Sequence, residues 1–180
     1  MRTLLFFAAA GALIAVACAL VGCGGAGAMQ PPPGSATLDI GTAATDGTGF
    51  VALGGDTTMV PGAQGGFHVW IKYRIEGMAP ATVNVHRESR RVSDNALVLL
   101  ADSQLDVGTP GDDGWWEMPM AQPSFMCPTP IGINVIDEKI VFDVSMTAID
   151  GTPLATSTAQ ATVHCPDGDQ AQFCAKICSG

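Results

Sequence analysis

Imidazole and thioether side chains are the first residues of this chain whose chemistry suggests a site. Soft ligands of this kind suit copper, and the chain holds three histidines and eight methionines. Met118 and Met120 stand two residues apart, on one side of an extended strand. With His68 and His86 they form the candidate metal set, although the histidines lie on separate segments and methionine is also an ordinary core residue. We therefore expect no metal or other cofactor, with copper binding as the alternative.

Two adjacent tryptophans, Trp115 and Trp116, follow a loop rich in glycine and aspartate. Successive residues of a strand point to opposite faces, so we expect one indole inside the domain and the other outside. An outward indole beside polar residues can stack on a sugar or anchor a partner protein. The competing interpretation is that it covers the edge of a sheet. These two residues are the candidate contacts with a protein or glycan partner.

Sequence motifs for catalysis are missing from the chain. It contains no G-x-S-x-G elbow, no H-E-x-x-H and no P-loop. We therefore expect a non-enzymatic module, with metal binding as the second candidate function and a hydrolase as the third.

The one basic cluster, residues 87–91, is expected to be a solvated strand face that pairs internally through Glu88. The alternative is that this cluster binds an anionic ligand.

The first 22 residues have the composition of an export signal. Arg2 is the only charged residue before Asp39, and residues 4–21 carry no charge. A short basic start, an apolar stretch and a small-residue cleavage point are typical of a secretory signal peptide. An uncleaved membrane helix is possible on length alone, and an ordinary secretory cleavage near Ala17 or Ala28 is a second alternative.

The tetrad Leu20-Val21-Gly22-Cys23 closes this stretch and resembles the lipobox of bacterial lipoproteins. The resemblance implies cleavage before Cys23, a diacylglyceryl thioether on its sulfur and an acyl chain on its new amino terminus. Two or more chains anchor a protein stably, at ~0.8 kcal/mol per buried methylene. Gly24 stands where the family's signal for inner-membrane retention has aspartate. The resemblance therefore implies a lipid-anchored outer-membrane protein, on the periplasmic or the surface side.

The formal net charge is −9, from 17 acidic and eight basic residues. Loss of residues 1–22 would remove one basic residue and no acidic one, so the exported chain would be more acidic still. Nucleic-acid binding needs a basic stripe to meet the phosphates, and adhesion to an anionic leaflet needs basic residues as well. The composition argues against a nucleic-acid partner and leaves the lipid anchor as the expected contact with the membrane.

Six cysteines reduce to four if Cys18 leaves with the signal and Cys23 takes lipid. An even number in an exported protein predicts two disulfides, and three pairings are possible. A zinc site would normally hold its cysteines in close C-x2-C pairs, which this spacing lacks. We favour a C-terminal clasp that ties the tail to one end of the domain. The four remaining cysteines would then pair as Cys165–Cys174 and Cys127–Cys178.

Period-two alternation of apolar and polar residues indicates strands, most clearly at 67–75, 139–149 and 154–165. The last two are expected to form a hairpin through Asp150-Gly151. Alternation with one polar face predicts antiparallel pairing, and seven to nine strands in a domain of this size predict an all-β, two-sheet sandwich. Weaker strands are predicted at 37–43, 48–53, 82–92, 96–101, 115–120 and 131–136.

This strand pattern resembles the immunoglobulin-like and fibronectin type III-like domains of surface lipoproteins. The predicted function is that of a membrane-anchored binding or structural module of the cell envelope. The expected organisation has four parts: a signal peptide at 1–22, the lipidated cysteine and a Gly/Pro-rich tether at 23–36, the sandwich at 37–166, and a cysteine-containing tail at 167–180.

Overall fold

The computed structural model describes residues 35–43 and 49–180. The predicted signal peptide, the lipidated Cys23 and the predicted tether up to residue 34 lie outside the described residues. Within those residues, no helix is long and apolar enough to span a bilayer. The strands are β1 (Thr37–Thr42), β2 (Val51–Ala52), β3 (Asp56–Thr58), β4 (Val60–Pro61), β5 (Phe67–Glu76), β6 (Ala81–Arg91), β7 (Leu97–Val107), β8 (Trp115–Glu117), β9 (Gln122–Cys127), β10 (Glu138–Ala148) and β11 (Pro153–His164). A short 3-10 helix (Gly168–Gln170) and α1 (Ala171–Cys178) follow.

These strands form two sheets that enclose one core. In sheet I, β5 is central: β1 and β4 pair along one side of it, β8 and β9 pair along the other, and β2 pairs with β1. Sheet II has the order β3-β11-β10-β6-β7. Its pairs are antiparallel except that of β3 with β11, which is parallel. The prediction of an all-β, two-sheet sandwich is confirmed.

The strands with the clearest alternation are those that the structure reproduces best. β5, β10 and β11 match the three strongest predictions, and Asp150-Gly151 lies in the turn of the predicted hairpin. The short strands β3 and β4 and the strand β9 were not predicted. The predicted strand at 131–136 is wrong, because side chains there bond the local backbone instead: Thr129 Oγ1 accepts from Ile133 N at 2.7 Å, and Asn134 Oδ1 accepts from Ile136 N at 3.0 Å.

The core lies between the sheets and takes every second residue of the long strands. The inward residues of β10, for example, are all buried while their neighbours are not. The largest fully buried side chains are Tyr73, Phe67, Met59, Ile71, Ile75, Met126, Ile140 and Met146.

Different segments of the chain lie at the two ends of the sandwich. At one end, which we call the Ser35 end, Ser35 O lies against the turn after β5, so close that a Cβ on Gly77 would be 3.2 Å from it. The hairpin tip at Ile149 lies at this end, because Ala148 pairs with Val83 near the start of β6. At the opposite end, which we call the disulfide end, β9 finishes at Cys127.

The C-terminal tail closes the disulfide end. Disulfides join Cys127 to Cys178 and Cys165 to Cys174, which is the predicted pairing. The tail after Cys165 folds into the 3-10 helix and α1, with Cys174 and Cys178 buried one helical turn apart. Cys178 O also accepts a hydrogen bond from Val135 N at 3.1 Å, so the helix is tied to the segment that precedes β10.

The two bridges should contribute unequally to stability. Replacing both Cys127 and Cys178 by alanine is expected to lower the free energy of unfolding by about 4 kcal/mol, because that bridge restricts a loop of 51 residues in the unfolded chain. The matched replacement of Cys165 and Cys174 opens a loop of only nine and should cost about 3 kcal/mol. Equilibrium unfolding in urea measures both. A larger loss for the short loop would contradict this account.

Candidate functional site

The outer face of sheet I is the part of the molecule where aromatic and charged side chains gather. On β5 the residues between the core positions point to this face, and they are His68, Trp70, Lys72, Arg74 and Glu76. His68 and Lys72 are buried although they point away from the core, because side chains from neighbouring segments cover them. This face is therefore packed over part of its area, and its chemistry depends on which groups remain open.

Arg74 is clamped between two aromatic rings. Its guanidinium carbon lies 4.6 Å from the ring centre of Phe50 and 4.5 Å from that of Trp115. Asp39 Oδ2 accepts hydrogen bonds from Arg74 Nε at 2.8 Å and from Nη2 at 2.6 Å. Cation–π contact and a carboxylate partner thus hold one arginine from three directions.

This arrangement decides the roles of the two adjacent tryptophans. Trp115 is outward and Trp116 is inward, as strand alternation predicts. The buried Trp116 also explains why residue 108 is glycine, because a Cβ there would lie 2.8 Å from the indole Nε1. Trp115 is engaged with Arg74, so its ring covers part of the sheet.

Lys72 is the buried charge of this face. Its Nζ donates to Gly49 O at 2.9 Å and to a carboxylate oxygen of Glu117. A buried ammonium group is tolerated only where it is paired and hydrogen-bonded. The contact with Gly49 also fixes the segment that enters β2 against the outside of β5.

One side of β5 has an opening between two of its partners. β1 last pairs with β5 where Gly41 lies opposite Lys72, and β4 pairs where Val60 lies opposite His68. In the part of the chain that the structure describes, residues 69–71 therefore have a paired strand only on the side of β9. The opening leads into a cleft of about 730 Å³.

The cleft has apolar walls and a polar rim. Trp70 and Met120 line it with 37% and 76% of their surface exposed, and Met59, Val60, Pro61 and Pro166 add further apolar surface. Thr42, Asp56, Thr57 and Thr58 supply hydroxyl and carboxylate groups. Apolar clefts of this volume with a few polar groups are the usual form of a ligand site.

His68 supports the indole that lines the cleft. The two ring centres of His68 and Trp70 lie 4.4 Å apart, with the rings nearly perpendicular, and Phe125 packs 6.0 Å from the imidazole. Both imidazole nitrogens of His68 are buried without a hydrogen-bond partner among the described residues. Burial lowers the pKa of His68 below its ordinary value of 6.5, so the ring is neutral and acts as an apolar wedge.

His164 holds the rim of the cleft in place. Its Nδ1 lies 2.7 Å from Asp137 and its Nε2 lies 3.3 Å from Asp56, which belongs to β3. The hydrogen bond to Asp137, followed by that to Asp56, raises the pKa of His164 above 6.5. A protonated His164 thus links the edge strand β3 to the segment before β10.

The candidate copper set is not brought together. His68 lies on the outer face of sheet I and His86 on the outer face of sheet II. Met118 is buried in the core, whereas Met120 is in the cleft. Among the described residues, no group of three or more histidine, cysteine, aspartate or glutamate side chains is placed to hold a metal ion.

The outer face of sheet II carries a row of residue types known from hydrolases. Asp102, His86 and Ser145 lie side by side on β7, β6 and β10, with His86 Nδ1 2.7 Å from Asp102. Ser145 makes no hydrogen bond with His86, and the Asp102 side chain is 79% exposed to water. β6 pairs with strands on both sides, so its backbone N–H groups point to those strands. They do not point to the face, where they could stabilise a negative charge on a bound substrate.

The basic cluster at 87–91 is largely consumed by internal contacts. Arg90 pairs with Glu88, as expected, and its Nη1 donates to Asn95 O at 2.9 Å. Arg91 pairs with Asp94, and this hydrogen bond lowers the pKa of the Asp94 carboxyl to about 2. These arginines stabilise the turn between β6 and β7, which leaves the cleft as the stronger candidate for a ligand site.

Comparison with known proteins adds little to this description. No protein-family model matches the chain, and no curated protein matches it. One solved structure with a similar chain is that of the N-terminal domain of PorA, with 13% identical residues and a TM-score of 0.28. The match covers 70% of this chain and 96% of that chain. A likeness this weak transfers neither fold nor function.

The residues of the cleft were missed at the sequence level. Trp70 gave a signal, because it stands between His68 and Lys72 on a strand whose other face carries only aliphatic and aromatic residues. Met120 was a candidate only as a copper ligand and Asp56 was no candidate, since their proximity to Trp70 depends on the connection from β8 to β9 and on the pairing of β3 with β11.

His68 and His164 should make stability depend on pH with opposite signs. Unfolded His68 takes a proton at its ordinary pKa of 6.5 and folded His68 only at a lower pH, so the folded state loses stability as the pH falls below 6.5. Folded His164 keeps its proton above 6.5, so its contribution is complete below 6.5 and is lost as the pH rises through its raised pKa.

Unfolding in urea between about pH 5 and about pH 8 separates these effects. His68→Leu should remove the loss on the acid side, and His164→Asn should remove a loss of about 0.5 kcal/mol on the alkaline side, the scale of exposed ion pairs. Each variant serves as the control for the other. Unchanged pH profiles in both would contradict the assigned environments.

Proposed function

We propose that this chain is a lipid-anchored protein of the bacterial cell envelope that binds a partner in the cleft beside Trp70. The anchor is supported by the tetrad Leu20-Val21-Gly22-Cys23 and by the export signal before it. Two disulfides are a further feature of exported domains. Binding is supported by the exposed indole and thioether that line the cleft.

The position of the cleft relative to Ser35 carries the proposal. β1 starts beside the Ser35 end, and its last residue, Thr42, lines the cleft. Six residues of strand cover about 20 Å at ~3.3 Å per residue. A chain that carries a lipid anchor upstream of Ser35 would thus join the domain at the Ser35 end. The cleft, about 20 Å further along β1, would stay open toward the disulfide end. The Gly/Pro-rich stretch between Cys23 and Ser35 suits a spacer for such a domain.

The chemistry of the cleft favours a neutral or cationic partner. Asp56 is the one charged side chain among the described residues that line it, and the whole chain has a net charge of −9. An anionic ligand such as a nucleic acid would meet repulsion and no cation to pair with. A protein segment or a glycan of the envelope fits the cleft in charge, and the cleft is the site through which the module would hold it.

Removal of the lipidated thiol tests the anchor. In Cys23→Ser cells the protein should leave the membrane fraction, because no acyl chain can be attached and the remaining chain carries no basic stripe for an anionic leaflet. Cell fractionation with mass analysis of the N-terminus measures this outcome. Cys18→Ser is the matched control and should stay with the membrane. A Cys23→Ser protein that has lost its signal by mass analysis and still sediments with membranes sinks the lipoprotein proposal.

Photo-crosslinking in living cells tests the cleft. A benzoylphenylalanine in place of Met120 should form an adduct with an envelope component, because this position is 76% exposed inside the cleft. The same group in place of Ile149, which is 57% exposed at the Ser35 end, is the control and should not form that adduct. Equal adducts from both positions, or none from position 120, would contradict a binding cleft at Trp70.

A further inference from the structure

A free strand edge lies against the cleft. Asp56, Thr57 and Thr58 all line it, although successive side chains of a strand point to opposite faces. All three residues of β3, the edge strand of sheet II, therefore contribute surface to the cleft. In the described part of the chain, β3 pairs only with β11, so the edge toward the cleft has no strand partner.

The hydrogen bonds of β3 show which backbone groups face that edge. Gly55 O accepts from Thr162 N at 2.8 Å, and Met59 N donates to His164 O at 2.8 Å. In a parallel pair, alternate residues direct their backbone groups to the partner strand. Thr57 shares the side of Gly55 and Met59, so the N–H and C=O groups of Asp56 and Thr58 point away from β11.

A short, charged edge alone is not a site, since proteins use such edges to prevent aggregation. Here a second observation accompanies it, because Trp70 and Met120 expose apolar surface in the same cleft. Tryptophan and methionine are enriched at the centres of protein interfaces. In strand addition, an extended peptide forms main-chain hydrogen bonds with a sheet edge, and a neighbouring pocket takes one of its side chains.

We propose that the cleft binds an extended peptide segment of a partner protein, which pairs with the free edge of β3 and places an apolar side chain on Trp70. This inference rests on the proposed function and names its ligand class. Asp56 has a carboxylate that is 80% exposed beside the edge, so a lysine or arginine of the peptide completes the match in charge. β3 has only three residues, which makes the apolar contact the main source of affinity.

Selection of peptides on the purified, detergent-solubilised protein tests this ligand class. The probe is a phage-displayed library of random linear peptides. Enriched sequences should alternate apolar and polar residues and carry at least one lysine or arginine. Trp70→Ala should weaken their binding at least about tenfold. Met120→Glu should do the same through an exposed position that leaves the core untouched, and Leu100→Ala, an exposed apolar residue of sheet II, should have no effect.

Single N-methylation along a selected peptide separates strand addition from other modes of binding. Loss of affinity should follow every second residue, because only alternate N–H groups of a paired strand face its neighbour. An even effect along the peptide, or no enrichment over the Trp70→Ala protein, overturns the inference. Binding of arrayed glycans that is lost in Trp70→Ala overturns it as well but leaves the proposed function intact. If position 120 also forms no adduct in cells, the proposed function fails with it.

Discussion

Sheet I depends on the pairing capacity of one strand, β5. Four of the described strands pair with it, two along each side, so its ten residues organise half of the sandwich. Its inward side chains fill the core, and neighbouring segments bury His68 and Lys72 and partly cover Arg74 on its outward face. Lys72 and Arg74 meet this constraint through Glu117 and Asp39, while His68 meets it by staying neutral. The charged side chains of this face therefore have structural roles. Two residues that the sequence presented as functional candidates, His68 and Trp115, also take part in this packing.

The same constraint creates the cleft. β1 and β4 lie one after the other along the same side of β5. On that side, β5 has no paired residue among the described strands between Lys72, which lies opposite Gly41, and His68, which lies opposite Val60. Trp70 lies at this interval and is the outward residue of β5 whose apolar surface is left open. The parallel pairing of β3 with β11 then brings Asp56 to the rim, where His164 holds it. An edge strand, an indole and a carboxylate therefore converge from parts of the chain that are distant in sequence.

Sequence patterns predicted those elements whose two faces differ. β10 and β11 bury one face and expose the other, so their alternation and the Asp150-Gly151 turn were sufficient. β9 was missed because Pro123 weakens its strand signal, yet proline is tolerated there because β9 pairs with β5 alone among the described strands. The faces of Trp115 and Trp116 followed from alternation, but the engagement of Trp115 by Arg74 required the tertiary structure. The cleft could not be predicted at all, because it is defined by where strands stop pairing.

The chain contains only three tryptophans, and they report on three different environments: Trp70 in the cleft, Trp115 on Arg74 and Trp116 in the core. The most direct test of the account is therefore an NMR spectrum of the indole N–H groups in ¹⁵N-labelled protein, recorded with and without solubilised cell envelope. Binding at the cleft predicts that the Trp70 resonance shifts or broadens while those of Trp115 and Trp116 stay in place. A shift of Trp115 or Trp116 with Trp70 unmoved, or no change in any of the three, would contradict it.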